Sequence, residues 1–379
     1  MLQATNIYQK IKRSNKQMQK NLFEITKYIW LNKKATINQI SENLNLDKST
    51  VSRYLRKLKQ YGVIINEGSL KPGSQGGRKT NVFSFNYNIF KVLGLEVEQN
   101  GIEGVLTNFN GDILDRFVIH KKINKSNLKD SILEVLKEKK SSNLYAVGIS
   151  LPGIIDSLKG EIIFSQALDI ENYPLVKELA EFVRLPVLVD NDSNIGAAYY
   201  NSKFKGKCKN ILYIYTSIPY DIKDPVGIGI GIIIDNRLYH GSNNFSGEYE
   251  FKYSLIQNTK KYGGDYYNFL KNYDEKEIFS AVKNFLDKLS KEIGLLGSIL
   301  DPDTIIYDGN IRFLPEIVLD YLLEETRENI FMRTKRKIDV LKESREEAVN
   351  AVGAALNLIN KIFEEDEYVD MLFTKLKTL

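Results

Sequence analysis

The sequence predicts an α/β protein with a small helical head, and three observations carry that prediction. Beyond residue 86, short runs of β-branched residues alternate with stretches of helical periodicity, as in sheets flanked by helices. Before that point, three amphipathic helical segments are followed by two alternating strands. The charge divides at the same place. Of 379 residues, the first 80 hold 16 Lys and Arg against Glu24, Glu42, Asp47 and Glu67, a balance of +12, and the rest hold 37 against 44, or −7. A basic head on a mildly acidic body suggests a polyanion-binding module joined to something else.

In the head, Leu22, Ile25, Ile29 and Trp30 recur at helical spacing and predict a first helix ending near Asn32. Thr36 and Gln39 have the spacing of a capping box, and Ile37, Ile40 and Leu44 supply the buried stripe of a second helix. After a short turn at Asn45 and Leu46, Asp47 can cap a third helix, Lys48–Gln60. Its apolar residues Val51, Tyr54, Leu55 and Leu58 fall at i, i+3, i+4 and i+7, while Ser49, Thr50, Ser52, Arg53, Arg56 and Lys57 occupy the other face.

Two short helices joined by a tight turn, the second with hydroxyls at its start and cations beyond, meet the needs of a helix-turn-helix. Hydroxyls and the helix N-terminus can meet phosphates, and Arg53 can reach a guanine edge in a major groove. An ordinary helical surface with solvated charges would share these features. The segment C-terminal to the third helix separates the two readings. Residues 61–67 and 80–85 alternate as strands about a loop, residues 68–79, rich in Gly, Lys and Ser. In that loop Gly76, Gly77, Arg78 and Lys79 set two cations beside a backbone without side-chain bulk, suited to a minor groove or a run of phosphates. By itself the loop could be a flexible turn; with the helices and the charge it predicts a winged helix-turn-helix that binds double-stranded DNA.

Cysteine and histidine exclude other classes. Cys208 is alone, and His120 and His240 are the only imidazoles, so no internal disulfide forms and no Cys-rich zinc site can be assembled. The first 20 residues contain no apolar signal core, and no stretch approaches the length of a membrane span. The expectation is a cytoplasmic protein with no membrane partner.

In the body, strands are predicted at residues 92–97, 104–108 and 113–119, a helix at 128–138, a strand at 144–150, a helix at 175–182 and a strand at 186–189. Strands at 211–216 and 227–234 then begin what reads as a repeat of the same unit, followed by a helix at 275–296, a strand at 304–307 and a closing helix at 346–363. Two such units imply a cleft between them.

Four segments occur in one order: Gly148-Ile-Ser-Leu-Pro-Gly153 with Asp156 and Gly160; Val189-Asp-Asn-Asp-Ser-Asn194 with Ala197 and Ala198; Gly227-Ile-Gly-Ile-Gly231; and Leu238-Tyr-His-Gly241 leading to Ser246-Gly-Glu248. Their combination resembles the ROK family of sugar kinases and sugar-responsive repressors, from about Asn21 to Leu358, and the winged head ending in Gly-Gly-Arg-Lys resembles its repressor branch, the xylose, glucose and N-acetylglucosamine repressors. The resemblance implies a two-lobed actin/hexokinase-like, ribonuclease-H-like body. The expected domains are the winged head at 1–86, a first lobe at 87–200 completed by a C-terminal helix at about 346–379, and a second lobe at 201–345, with a sugar cleft between the lobes.

The same resemblance makes Asp192 the position of the family kinases' general base, beside Asn191, and Glu248 the position of a Glu that grips ring hydroxyls. A carboxylate at 192 can equally accept a sugar hydrogen bond without chemistry, or serve as a strand-end cap. The family's phosphate-handling segments differ here: Glu96-Val-Glu-Gln-Asn100 stands where kinases have Asp-x-Gly-Gly-Thr, and Pro225-Val226 where they have Gly-Thr. No ATP is therefore expected, and Gly227, Gly229 and Gly231 read as close-packing residues. No zinc is expected either, because Phe251 holds the position of the family's zinc-binding His and residues 252–267 contain no Cys. The family's sugar-binding Asn aligns with Ala167, leaving Gln166 or Asp169 to substitute; His240 reads as a surface or turn residue.

The leading expectation is a dimeric repressor of carbohydrate-utilisation genes, with a palindromic operator and a small carbohydrate effector. The alternative is a sugar kinase with an accessory DNA-binding head, and a third reading keeps the body only as a dimerisation or partner platform.

Overall fold

The structure, a computed structural model, describes residues 2–70, 80–141, 143–204, 207–256, 261–262, 265–342 and 348–364. The chain divides into two units: Met1–Lys91 with Asn108–Asp112 and Ile359–Leu379, and Val92–Thr107 with Ile113–Leu358.

The first unit begins with helix α1 (Leu2–Asn32), followed by a short strand β1 (Lys34–Thr36) and helices α2 (Ile37–Leu44) and α3 (Lys48–Gln60). Thr36 forms the capping box with Gln39, the turn passes through Asn45 in the left-handed region (φ 49°), and Asp47 caps α3 by accepting from the N–H of Thr50 at 2.8 Å. Val51, Tyr54, Leu55 and Leu58 are all buried, with Leu22, Ile25, Ile29 and Ile40. Each such side chain contributes about 1.5–3 kcal/mol by leaving water, so the apolar stripe, and not helix propensity, holds α3 in place.

The wing strands are β2 (Ile64–Leu70) and β3 (Thr80–Phe85), antiparallel, with β1 on the far edge of β3. The first strand starts later than the alternation from Tyr61 suggests. Gly62 adopts φ 70°, its N–H bonds Lys59 O and that of Val63 bonds Leu58 O, so residues 61–63 close the helix before the strand begins. The three-residue β1 is too short to register as an alternating pattern. The unit's core is completed by Phe85, Phe90, Phe109 and Phe363.

The second unit contains two sheets of the same order. β4 (Lys91–Glu98), β5 (Gly101–Asn108), β6 (Ile113–His120), α4 (Leu128–Glu138) and β7 (Leu144–Leu151) come first, then a small sheet of β8 (Ile154–Asp156), β9 (Glu161–Ser165) and β10 (Ile170–Tyr173). α5 (Leu175–Ala180), β11 (Val187–Asn191) and α6 (Asp192–Lys203) follow. The second half runs through β12 (Ile211–Ser217), β13 (Gly227–Ile234), β14 (Arg237–Leu238), β15 (Glu248–Tyr249), α7 (Tyr266–Asn272), α8 (Glu275–Leu300), β16 (Thr304–Gly309), α9 (Glu316–Glu328), β17 (Asp339–Lys342) and α10 (Val349–Glu364).

The first main sheet is ordered β11-β7-β4-β5-β6 and the second β14-β13-β12-β16-β17, with β15 added against β13. In both, a meander of three strands is extended by two further strands, so the repeat read from residues 211–234 is present as topology; β11 with β7, and β12 with β16, run parallel. Each half buries its own apolar cluster, one around Leu93, Ile132 and Val189 and one around Leu212, Phe285 and Ile305. The N-terminal part of α10 lies directly on the first sheet. A Cβ at Gly94 would fall 1.9 Å from Ala351 O and one at Gly148 2.1 Å from Ala354 O, so only glycine admits the helix backbone at that distance.

Two elements carry no periodic signature. In α6 residues Ser193 to Ala198 are buried without interruption, which erases the polar stripe that marks a surface helix. The small β8–β10 sheet consists of strands of three to five residues.

Candidate nucleic-acid interface and ligand cleft

On α3 the face opposite the core presents Ser49, Arg53 and Arg56 exposed, with Thr50, Ser52 and Lys57 part-exposed. The guanidinium of Arg53 lies 5.1 Å from the Tyr54 ring centre and the ammonium of Lys57 5.8 Å from that of Tyr61, so both cations lean on aromatic surface that limits their freedom. Ser49 donates to Asp47, and together with Thr50 it holds the Asp47 carboxyl well below the usual carboxylate range. The start of the helix thus already carries an anion. Gly76, Gly77, Arg78 and Lys79 lie outside the described residues.

In the second unit, β11 ends at Asn191, which caps α6: its side-chain oxygen accepts from the N–H groups of Ser193 (2.8 Å) and Asn194 (3.4 Å) and its amide donates to Gly153 O at 2.6 Å. The cap is therefore Asn191, and Asp192 is the first residue of the helix. Asp192 Oδ1 accepts from the Ser193 N–H at 2.7 Å, yet burial pushes its carboxyl up to about 7, with the nearby charges of Glu248 and Glu98 acting in the same direction. A helix N-terminus would lower the value; desolvation wins.

Glu248 comes to Asp192 through Gly229. It pairs with Gly229 between β15 and β13, and Asp192 Oδ1 lies 3.8 Å from the point a Cβ on Gly229 would occupy. A Cβ on Gly229 would also lie 3.1 Å from Ser193 Cβ, so the bare glycine fits closely against the start of α6. Gly231 has the packing role expected of it, since a Cβ there would lie 2.1 Å from Ser193 O.

Further carboxyls surround them. Glu96 accepts from the Asn350 amide at 2.7 Å and is pushed up to about 8 by burial and by the charge of Glu98. Glu98, at the end of β4, accepts from the Tyr215 hydroxyl at 3.3 Å, and loss of water around its carboxyl raises it as well. Asp308 accepts from Tyr213 and pairs with Arg312 at 3.2 Å. Asp169 stands apart in character: it is exposed, at φ 54°, in the turn joining β9 and β10, where a short polar side chain tolerates the left-handed region.

His240 departs from its sequence reading. It is not a free surface or turn residue: its ring is half-buried and Nε2 lies 2.9 Å from Oδ2 of the fully buried Asp190 and 3.3 Å from Ser157 Oγ. Nothing local foretells this, because the three residues are far apart in the chain. Phe251 is buried, edge-on to Phe285 (5.5 Å) and Tyr253 (5.0 Å), so an apolar ring fills the place of a zinc-binding imidazole and these residues do not fit that metal. Among the described residues no group of three or more His, Cys, Asp or Glu is arranged to hold a metal ion, and no helix is long and apolar enough to cross a membrane.

Comparison with known proteins agrees with this arrangement. Residues 92–250 match the ROK family and residues 18–65 the winged helix-turn-helix DNA-binding family. The chain is 25% identical to a xylose repressor of Caldicellulosiruptor bescii over 92% of its own length and 97% of the relative's, and 25% identical to the xylose repressor of Bacillus subtilis over 92% and 95%. Its fold is similar to that of a ROK family transcriptional regulator, a homologue of the Escherichia coli MLC protein, with a TM-score of 0.66 at 17% identity, covering 95% of this chain and 98% of that one.

Proposed function

We propose that the chain, whose residues 92–250 match the ROK family and residues 18–65 the winged helix-turn-helix family, is a DNA-binding repressor of sugar-utilisation genes, governed by a monosaccharide held in a cleft of its body. The observation that carries this reading is the presence in one chain of a basic helix with exposed Arg53 and Arg56 and of a group of carboxyls, Asp192, Glu248, Glu96 and Glu98, close enough to raise one another's affinity for protons. Asp192 and Glu248 accept sugar hydroxyls, Asn191 shapes the strand end that carries Asp192, and Asp169 is a further candidate acceptor. Full-length relatives named xylose repressors make xylose the first sugar to test.

The effector is an uncharged sugar and the body transfers no phosphate. Glu96 and Glu98 stand beside Asp192, and Arg312 is committed to Asp308. A phosphate dianion brought beside these carboxyls would either meet their negative charge or force them to stay protonated, and both cost binding, so it is disfavoured there. Neither ATP nor a metal takes part. The operator is palindromic and read by a dimer, in the cytoplasm where the DNA lies. Sugar acts by binding the operator-competent and operator-incompetent states with different affinity.

A kinase with an accessory DNA-binding head is the second reading, favoured by Asp192, which occupies the position of the family base. One experiment separates them. Fluorescence anisotropy of the full chain on DNA flanking its own gene, titrated with xylose, glucose, N-acetylglucosamine and their phosphate esters, is run beside an ATP-dependent phosphorylation assay on the same sugars. Sequence-selective binding altered by a free sugar, with no phosphorylation, supports the repressor. Turnover of any sugar with ATP overturns it.

A further inference from the structure

Asp190 is wholly buried near the end of β11, and both oxygens of its carboxyl are hydrogen-bonded. Oδ1 accepts from the Asn191 N–H at 2.8 Å and from Asn194 Nδ2 at 3.0 Å. Oδ2 accepts from His240 Nε2 at 2.9 Å. A carboxylate only accepts, so Nε2 carries the proton, and Ser157 Oγ, 3.3 Å away just beyond β8, shares it. Both contacts use the same nitrogen. The three residues therefore cannot relay a proton to activate the serine; their consequence is mechanical.

Asp190 and Ser157 belong to the half built on the first sheet, whereas His240 follows β14 of the second. The carbonyl of His240 accepts from the Ser246 N–H at 3.2 Å, and Glu248 begins β15 two residues later. One imidazole thus joins the loop leading to Glu248 to the strand end that presents Asn191 and Asp192. Detaching it would leave a buried carboxylate oxygen without its partner, which makes the tie costly to break.

We propose that His240 is a positioning residue of the ligand cleft, holding the loop at residues 239–248 against Asp190 and Ser157 so that Glu248 and Asp192 face one another at the spacing a ligand needs. The inference rests on the cleft being the sugar site.

The test uses the full chain with His240→Ala, His240→Gln, Asp190→Asn and the double variant His240→Ala/Asp190→Asn. Deuterium exchange over residues 239–249 without ligand and calorimetric titration with xylose are the readouts. His240→Ala is expected to speed exchange in that segment and to weaken xylose binding, each roughly tenfold, while α8 exchanges as before. His240→Gln, whose amide N–H can reach the same oxygen, recovers part of the loss, and the double variant loses no more than the worse single one. Native exchange in His240→Ala, faster exchange with native xylose affinity, or additive losses would each overturn the proposal. If the native chain binds none of xylose, glucose and N-acetylglucosamine, the sugar reading falls, and the exchange data still decide whether the tie exists. If His240→Ala does not fold, His240→Gln and Ser157→Ala are compared by the same two readouts.

Discussion

The ring of Phe363, near the end of α10, stacks on Trp30 of α1 with centroids 4.3 Å apart and planes 15° from parallel. Phe363 is wholly buried and also meets Phe23, Phe85 and Phe109, so a residue distant in sequence closes the core beneath the DNA-binding helices. Truncation of a buried Phe typically costs about 3–5 kcal/mol. Phe363→Ala is expected to destabilise the first unit by that order. Trp30, the only tryptophan, reports it directly through its fluorescence in a urea titration. An unmoved midpoint would mean that the stack contributes nothing.

Arg53 and Arg78 separate base reading from phosphate contact. Arg53→Ala should cost about 1–3 kcal/mol on the operator and much less on random DNA. Arg78→Ala should weaken both alike and reduce the slope of log affinity against log salt by about 1. Anisotropy titrations at several salt concentrations measure both quantities, and an equal loss on operator and random DNA for Arg53→Ala would refute its reading role.

Gly229 pairs with Glu248 and lies beside Asp192. A side chain there meets Ser193 at 3.1 Å and Asp192 at 3.8 Å from its first carbon. Gly229→Leu is expected to reduce sugar affinity by at least about tenfold through steric filling, with ligand-free operator binding retained. Unchanged calorimetric titration with the effector would place the ligand elsewhere.

Asp192 and Glu96 make an unusual pH dependence. Burial raises them to about 7 and about 8 from ordinary values of 3.8 and 4.5. The folded chain therefore keeps protons that the unfolded chain gives up, and over roughly pH 4 to 8 stability falls as pH rises, the reverse of an ion-paired carboxylate. Tm should decline from pH 5 to pH 8, and Asp192→Asn or Glu96→Gln should flatten the decline. Scanning calorimetry of the three proteins across that range checks it; parallel curves would count against the raised values.

Much of the head was legible because its signals are local. The capping box at Thr36 and Gln39, the cap at Asp47 and the i, i+3, i+4, i+7 stripe of α3 each depend on residues within a few positions of one another. The repeat in the body was legible from its β-branched runs, whereas α6 was not, since burial on every side leaves no periodicity to read.

By itself, then, the sequence determined the recognition helix, the αβ alternation and the chemical identity of the cleft residues, because these follow from residue type and short-range spacing. Tertiary structure alone decided that Asn191 and not Asp192 caps α6, that Glu248 pairs with Gly229 beside Asp192, that Asp190 reaches His240 some 50 positions away, and that Phe363 completes the core around Trp30. The physical reason is the same in each case. Such contacts are set by how strands register and helices cross, and by which charges are thereby removed from water, none of which leaves a mark in the neighbouring residues.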